Sequence, residues 1–253
     1  MQDGAAILMH AGQDFAAIMR CAPRRYVRLD QHGWLGLTGE DCADLNSAVV
    51  VRGATPELLE EYVHEIRLRE LPAVLMVDPS ARDLSKAASA MGLTPAGATP
   101  VMLRHAAPIE PLHRTFNARR AGSMDVPTTN DLAAEAFSLE RAAVHRATPA
   151  AYLDGLVETW LVEDAGVPVG CGTFVRTGDT VGVYIMSTPA RHQRRGIGRA
   201  VLEHAMRHYQ DDGVTTFTLE ATAAGFHLYE QLGFRTVMEA PVFVIGESTQ
   251  FPT

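Results

Sequence analysis

The chain has 253 residues, 47% hydrophobic and 21% charged, enough for one large soluble domain or two small ones. A formal net charge of −8 argues against nonspecific nucleic-acid binding and favours a cationic substrate. Cys21, Cys42 and Cys171 are widely separated and form no C-x-x-C pair, so neither a disulfide framework nor a thiolate zinc site is indicated; with no secretory leader and no membrane-length apolar run, a cytoplasmic location is expected.

Over residues 2–22 the positions of Ile7, Leu8, Phe15, Ile18 and Met19 predict one or two helices, closed by a turn at Pro23. Strands are predicted at 26–29, 34–38 and 48–51. Thr55-Pro56 reads as an N-cap followed by proline at the first helical position, opening a helix that buries Leu58, Leu59, Tyr62, Val63 and Ile66. A strand at 73–77, a helix at 83–90 closed by Met91-Gly92-Leu93 and a strand at 101–103 follow, and Pro108 and Pro111 mark 106–112 as a linker. The expected organisation is therefore a first domain over 1–105 and a second over 113–253.

In the second domain a strand is predicted at 116–120, helices at 131–137 and 139–145, and three strands of an antiparallel meander at 158–163, 169–175 and 180–187. A helix then runs to about Tyr209, followed by a strand at 216–220, a helix at 223–232 and a final strand at 242–245. The stretch Gln193, Arg194, Arg195, Gly196, Ile197, Gly198, Arg199 falls at a strand-to-helix junction. The first N–H groups of a helix lack internal partners, the helix dipole is positive there, and glycines let main chain approach an anion closely. Its spacing matches neither the dinucleotide fingerprint nor the Walker loop.

The two halves end alike. Met91-Gly92-Leu93 matches Leu232-Gly233-Phe234 at an offset of 141 positions (233 − 92), which sets Thr55 and Glu57 opposite Gly196 and Gly198, and Ala88 opposite Tyr229. A carboxylate at Glu57 would repel a phosphate, so one phosphate site per chain is expected, not two.

The pattern Gln-x-x-Gly-x-Gly at 193–198, together with Leu228-Tyr229-Glu230-Gln231-Leu232-Gly233-Phe234 one helix and one strand later, resembles the GNAT superfamily of N-acetyltransferases over roughly 116–245. The resemblance implies an α/β (α+β) protein of two GNAT-like domains, each a mixed, mostly antiparallel twisted sheet flanked by helices, the first lacking the cofactor motif. It further implies that acetyl-CoA or another short acyl-CoA enters where the fourth and fifth strands of the second domain splay apart, with no metal. The loop 193–199 would then take the pyrophosphate. Main-chain groups near Met186, Ser187 and Thr188 would bond the pantetheine arm and the thioester carbonyl. Tyr229 would protonate the departing sulfur. Thr222 stands where many members have asparagine, and Thr188-Pro189-Ala190 places its proline one step early.

Glu220 is the candidate general base, with Glu163 and His227 as competitors. His204 and His208 are spaced for zinc but lack a third ligand, and Cys171 reads as a small buried residue. The resemblance implies that the acceptor is an amine of a small molecule or peptide; neither nucleic acid nor membrane is expected as a partner, and a homodimer stays open. A non-catalytic acyl-CoA sensor is the alternative.

Overall fold

The structure, a computed structural model, describes residues 4–109, 116–149, 153 and 155–246. A single helix, α1 (Gly4–Ile18), opens it and packs against the second strand: a Cβ on Gly12 would lie 2.5 Å from the Trp34 ring, and the Trp34 indole donates to the Leu8 carbonyl at 2.7 Å. Strands β1 (Tyr26–Asp30), β2 (Gly33–Leu37) and β3 (Asn46–Val50) form an antiparallel meander. The helix α2 (Pro56–Leu68) starts as its sequence predicts, with Thr55 Oγ1 accepting from the Leu58 N–H at 3.3 Å. Then come β4 (Ala73–Val77), α3 (Arg82–Ala90) and β5 (Thr94–His105), with Gly92 at φ +77° in the turn between the last two.

The second half contains β6 (Asn117–Arg120), α4 (Val126–Phe137), α5 (Arg141–Ala147), β7 (Val157–Asp164), β8 (Val167–Thr177) and β9 (Thr180–Ser187). It continues through α6 (Ile197–Asp211), β10 (Thr216–Glu220), α7 (Ala223–Gln231) and β11 (Arg235–Ile245). Among the described residues no helix is long and apolar enough to cross a membrane. Of the expected linker, residues 110–112 lie outside the described residues.

Two strands are much longer than their apolar runs suggest. β5 begins at Thr94 and not near 101, and β11 begins at Arg235 and not at 242. Their extra residues are exposed or half-buried apart from Ala240, and β5 carries Pro95, Gly97 and Pro100 there, so backbone pairing more than side-chain burial makes them strands.

The contacts divide the chain into two units. One contains the residues up to Val101, Glu220–Thr222 and those from Thr236 onward; the other contains Met102–Leu219 and Ala223–Arg235. Both are mixed, mostly antiparallel sheets flanked by helices, with strand order β1-β2-β3-β4-β11-β5 in the first and β5-β10-β9-β8-β7-β6 in the second. In the first unit β11 pairs antiparallel with β4 from Val242↔Met76 to Ile245↔Ala73, and Phe243 and Ile245 share one core with Leu35, Leu59, Tyr62 and Leu75.

The internal repeat is visible in the element starts: α2 and α6 begin 141 positions apart (197 − 56), as do α3 and α7 (223 − 82). What differs is the approach to the helix. In the first unit β3 and β4 pair in parallel to Val50↔Val77, the Asp78 N–H extends the ladder to the Val50 carbonyl at 2.9 Å, and Asp78 Oδ2 accepts from the Arg52 N–H at 3.2 Å. The buried Asp78 also receives the Ser80 N–H at 2.8 Å and its hydroxyl at 2.7 Å, so these two strand ends are sewn together. Asp78→Ala is expected to leave those donors unsatisfied and to cost about 1–3 kcal/mol of stability, read as a lowered urea midpoint; an unchanged midpoint would show that the clasp contributes nothing.

Candidate active site

In the second unit the equivalent pair of strands separates. β9 and β10 pair in parallel only through Thr180↔Thr216, Val181↔Phe217 and Gly182↔Thr218, although β9 continues to Ser187. On its other edge β9 carries a bulge: Tyr184 faces Thr173 and Ser187 faces Cys171, so Ile185 and Met186 together oppose Gly172. Ile185 takes φ +50°, and a Cβ on Gly172 would lie 2.3 Å from the Met186 sulfur. The extra residue twists the strand end that carries Met186, Ser187 and Thr188, beyond the last residues paired with β10. There the main chain can pair with an extended ligand in place of a strand.

Pro189 then opens a 3-10 turn, Ala190–His192. The Gln193 side-chain amide donates to the Thr188 carbonyl at 3.2 Å, closing the loop on itself. Arg194 and Gly196 adopt φ values of +58° and +85°. Gly196 is the N-cap of α6 and has no side chain to cap it, so the leading N–H groups at Ile197 and Gly198 point outward as anion donors. A Cβ on Gly198 would stand 3.1 Å from Leu228 and 3.7 Å from the Thr188 hydroxyl, so glycine lets α6 start close against α7.

The arginines are not equivalent. Arg195 is ion-paired with Asp164, and Arg199 donates to the buried Glu203 at 2.6 Å. Arg194 is exposed and has no side-chain partner among the described residues, so it is the loop cation at liberty to meet a phosphate. Burial, with Arg191 and Arg195 nearby, lowers the pKa of His192, so that ring adds no charge at neutral pH. The residues thus fit a pyrophosphate: outward N–H groups, glycine where a Cβ would intrude, and an unpaired arginine.

Tyr229 lies on α7 with its ring over Gly225, where a Cβ would come within 2.7 Å of Cε2, and edge-on to Phe234 at 5.9 Å. It is 6% exposed, and its hydroxyl has no hydrogen-bond partner among the described residues. Burial pushes its pKa up to about 12, so it is a neutral O–H donor at physiological pH. Arg104 of β5 secures the far end of α7 by donating to the Leu232 carbonyl at 2.7 Å, a role that nothing in its local sequence announces.

Glu220 and Thr222 are counted to the first unit. Glu220 keeps some solvent contact, yet burial followed by the charge of Asp14 raises its pKa to about 7. Asp14, 1% exposed on α1, was not singled out by sequence; an aspartate among apolar helix positions is the signal that could have found it. His10 Nε2 lies 3.6 Å from Asp14 Oδ1. Thr222 is exposed. The competing bases are otherwise engaged: Glu163 receives Arg119 at 3.1 Å, and His227 is exposed beside Glu230 at 3.3 Å. His208 lies 3.6 Å from Asp212 and packs on Trp160, while burial pushes the Cys171 thiol up to about 12.

Residues 156–236 match the family described as "Acetyltransferase (GNAT) domain". A stretch of 59 residues is 39% identical to the [Ribosomal protein bS18]-alanine N-acetyltransferase of Escherichia coli, spanning 22% of this chain and 40% of that relative's length. Among solved structures, a GCN5-related N-acetyltransferase from Kribbella flavida superposes with a TM-score of 0.68 at 17% identity, over 94% of this chain and 96% of the other. A tandem GNAT protein from the clavulanic acid biosynthesis pathway gives 0.58 at 15% identity, over 93% and 88%. The open β9 edge, the uncapped α6 and Tyr229 all lie inside the segment that is similar to a GNAT acetyltransferase domain, residues 156–236.

Proposed function

We propose that the protein is a cytoplasmic N-acyltransferase that passes an acetyl or other short acyl group from acyl-CoA to an amine of a small molecule or peptide, by direct attack in a ternary complex. The observation that carries this reading is Tyr229, its ring packed over Gly225 and its hydroxyl bonded to no other group among the described residues, on the helix packed against the glycine-led start of α6. A protein that only sensed acyl-CoA would have no use for a protonated donor there.

In this reading the loop 193–199 binds the pyrophosphate, and the end of β9 near Met186, Ser187 and Thr188, no longer paired with β10, bonds the pantetheine arm and polarises the thioester carbonyl. The neutral amine attacks the carbonyl carbon, forming the C–N bond and a tetrahedral oxyanion. Collapse breaks the C–S bond, and Tyr229 gives its proton to the departing sulfur. Glu220 accepts the proton that the amine must lose, and Thr222 contributes one hydrogen bond to the cofactor. A pKa near 7 suits Glu220, because it ionises in the range where proton acceptance is both available and favourable.

Mixing the protein with acetyl-CoA and a panel of monoamines, polyamines and peptides with a free N-terminus, while following thiol release, tests the reaction; tight CoA binding with no release across the panel would favour a sensor. Calorimetry is expected to give one CoA per chain, since β3 and β4 are sewn together where β9 and β10 part; two per chain would refute the comparison. Tyr229→Phe is expected to lower kcat by about 10²-fold and leave CoA affinity unchanged, whereas unaltered turnover removes Tyr229 from the mechanism. For wild type, kcat/KM should rise with pH through an apparent pKa of about 7 as Glu220 loses its proton. Glu220→Gln should abolish that limb. The same substitution should raise Tm at pH 8: a carboxyl whose folded pKa is raised binds protons better when folded, so its ionisation erodes stability between the ordinary glutamate value of 4.5 and about 7.

A further inference from the structure

Beside the phosphate loop lies an open cleft of about 650 Å³, lined by Asp131, Glu135, Ser138, Arg141 and Arg191 among others. Two carboxylates face it, and they are held differently. Asp131 of α4 is ion-paired with Arg141 and receives His145 Nε2 at 2.7 Å, both from the adjoining α5. Its neutralisation is internal to the helix pair. Glu135 is paired with Arg191, which comes from the 3-10 turn directly preceding Gln193, and no other cation is bonded to Glu135 among the described residues. Both side chains of that pair are about half exposed, at 55% and 45%, so the pair is free to exchange with solvent ions or ligands.

One cation therefore stands between two places for an anion: the Glu135 carboxylate in the cleft, and the outward N–H groups of the loop that begins two residues later. A surface ion pair is worth little, and a pyrophosphate carries more charge than a single carboxylate. We propose that Arg191 is an exchangeable latch: it neutralises Glu135 while the loop is empty and turns to the cofactor's phosphates when they bind, leaving Glu135 to take a cationic group of the acceptor. This rests on the acyl-CoA reading of the loop and adds to it a substrate class and an order. The acceptor is an amine bearing a second positive charge, and it binds well only after the cofactor. Acidic overall composition alone gives no such order. Here it follows from one arginine serving two anions in turn.

The test is CoA binding by calorimetry to four full-length proteins: wild type, Glu135→Gln, Arg191→Gln and the double variant. All substitutions fall on exposed side chains. Removing Glu135 frees Arg191, so Glu135→Gln is expected to tighten CoA binding by about 2- to 5-fold, and Arg191→Gln to weaken it by a similar factor. In the Arg191→Gln background, Glu135→Gln should have no effect. In steady-state assays Glu135→Gln should raise KM for a diamine and spare KM for a monoamine of the same length. The latch is overturned if Glu135→Gln leaves CoA affinity unchanged, or tightens it equally with and without Arg191, since that is a general charge effect. If wild type and every variant fail to bind CoA, the acyl-CoA reading itself fails and the latch with it. If CoA binds and the double-variant cycle shows no coupling, only the latch fails.

Discussion

Parallel pairing between β9 and β10 stops after Gly182↔Thr218, and most of the site is a consequence of that stop. Backbone N–H and C=O groups at a strand edge have to be satisfied by water, by another strand or by a ligand. The bulge that sets Ile185 and Met186 against Gly172 turns the end of β9 further from regular pairing, at the cost of a positive φ on a β-branched residue. Strain of that kind persists only where the surroundings hold it. Gly172 supplies the space for Met186, and Gly170 accommodates Ile197 at the start of α6, where a Cβ would approach to 2.6 Å. Strand end and helix start are thereby fixed against each other through glycines.

The first unit shows what the same succession of elements does without that stop. Its helices start at the same spacing, but a short link ending in a Thr55 N-cap replaces the glycine loop, and Asp78 carries the hydrogen bonding past the strand ends. Side-chain oxygens of the chain itself occupy the donors that a phosphate or pantetheine would need. Such a unit satisfies these donors from within, whereas the second unit leaves donors at the α6 start and the Tyr229 hydroxyl to water or a ligand.

Electrostatics select among groups that look alike in composition. Of the three arginines in the loop, two are held by carboxylates of the protein, and only Arg194 is left to face an anion. Among the acids considered as bases, Glu163 is neutralised by Arg119, but Glu220 has the charge of Asp14 nearby and a pKa brought up to about 7. Sequence spacing cannot separate these cases, because each depends on a partner far along the chain.

Residue order alone determined the local pieces: the apolar runs of β7 to β10 between their turns, the Thr55-Pro56 start of α2, the left-handed turns at Gly92 and Gly233, and the glycine loop ahead of α6. These are legible because period, capping and glycine conformation act within a few residues. Their order and the two motifs at 193–198 and 228–234 were enough to suggest the fold and the cofactor loop. Tertiary structure decided the rest. Only pairing across the chain extends β5 and β11 through exposed, proline-containing segments and brings β11 onto β4. Only packing buries the Tyr229 ring, sets Asp14 to raise the pKa of Glu220, and lets Arg191 reach Glu135. Each of these joins residues distant in sequence, where burial and Coulomb interaction depend on position in space and leave no periodic trace in the order of residues.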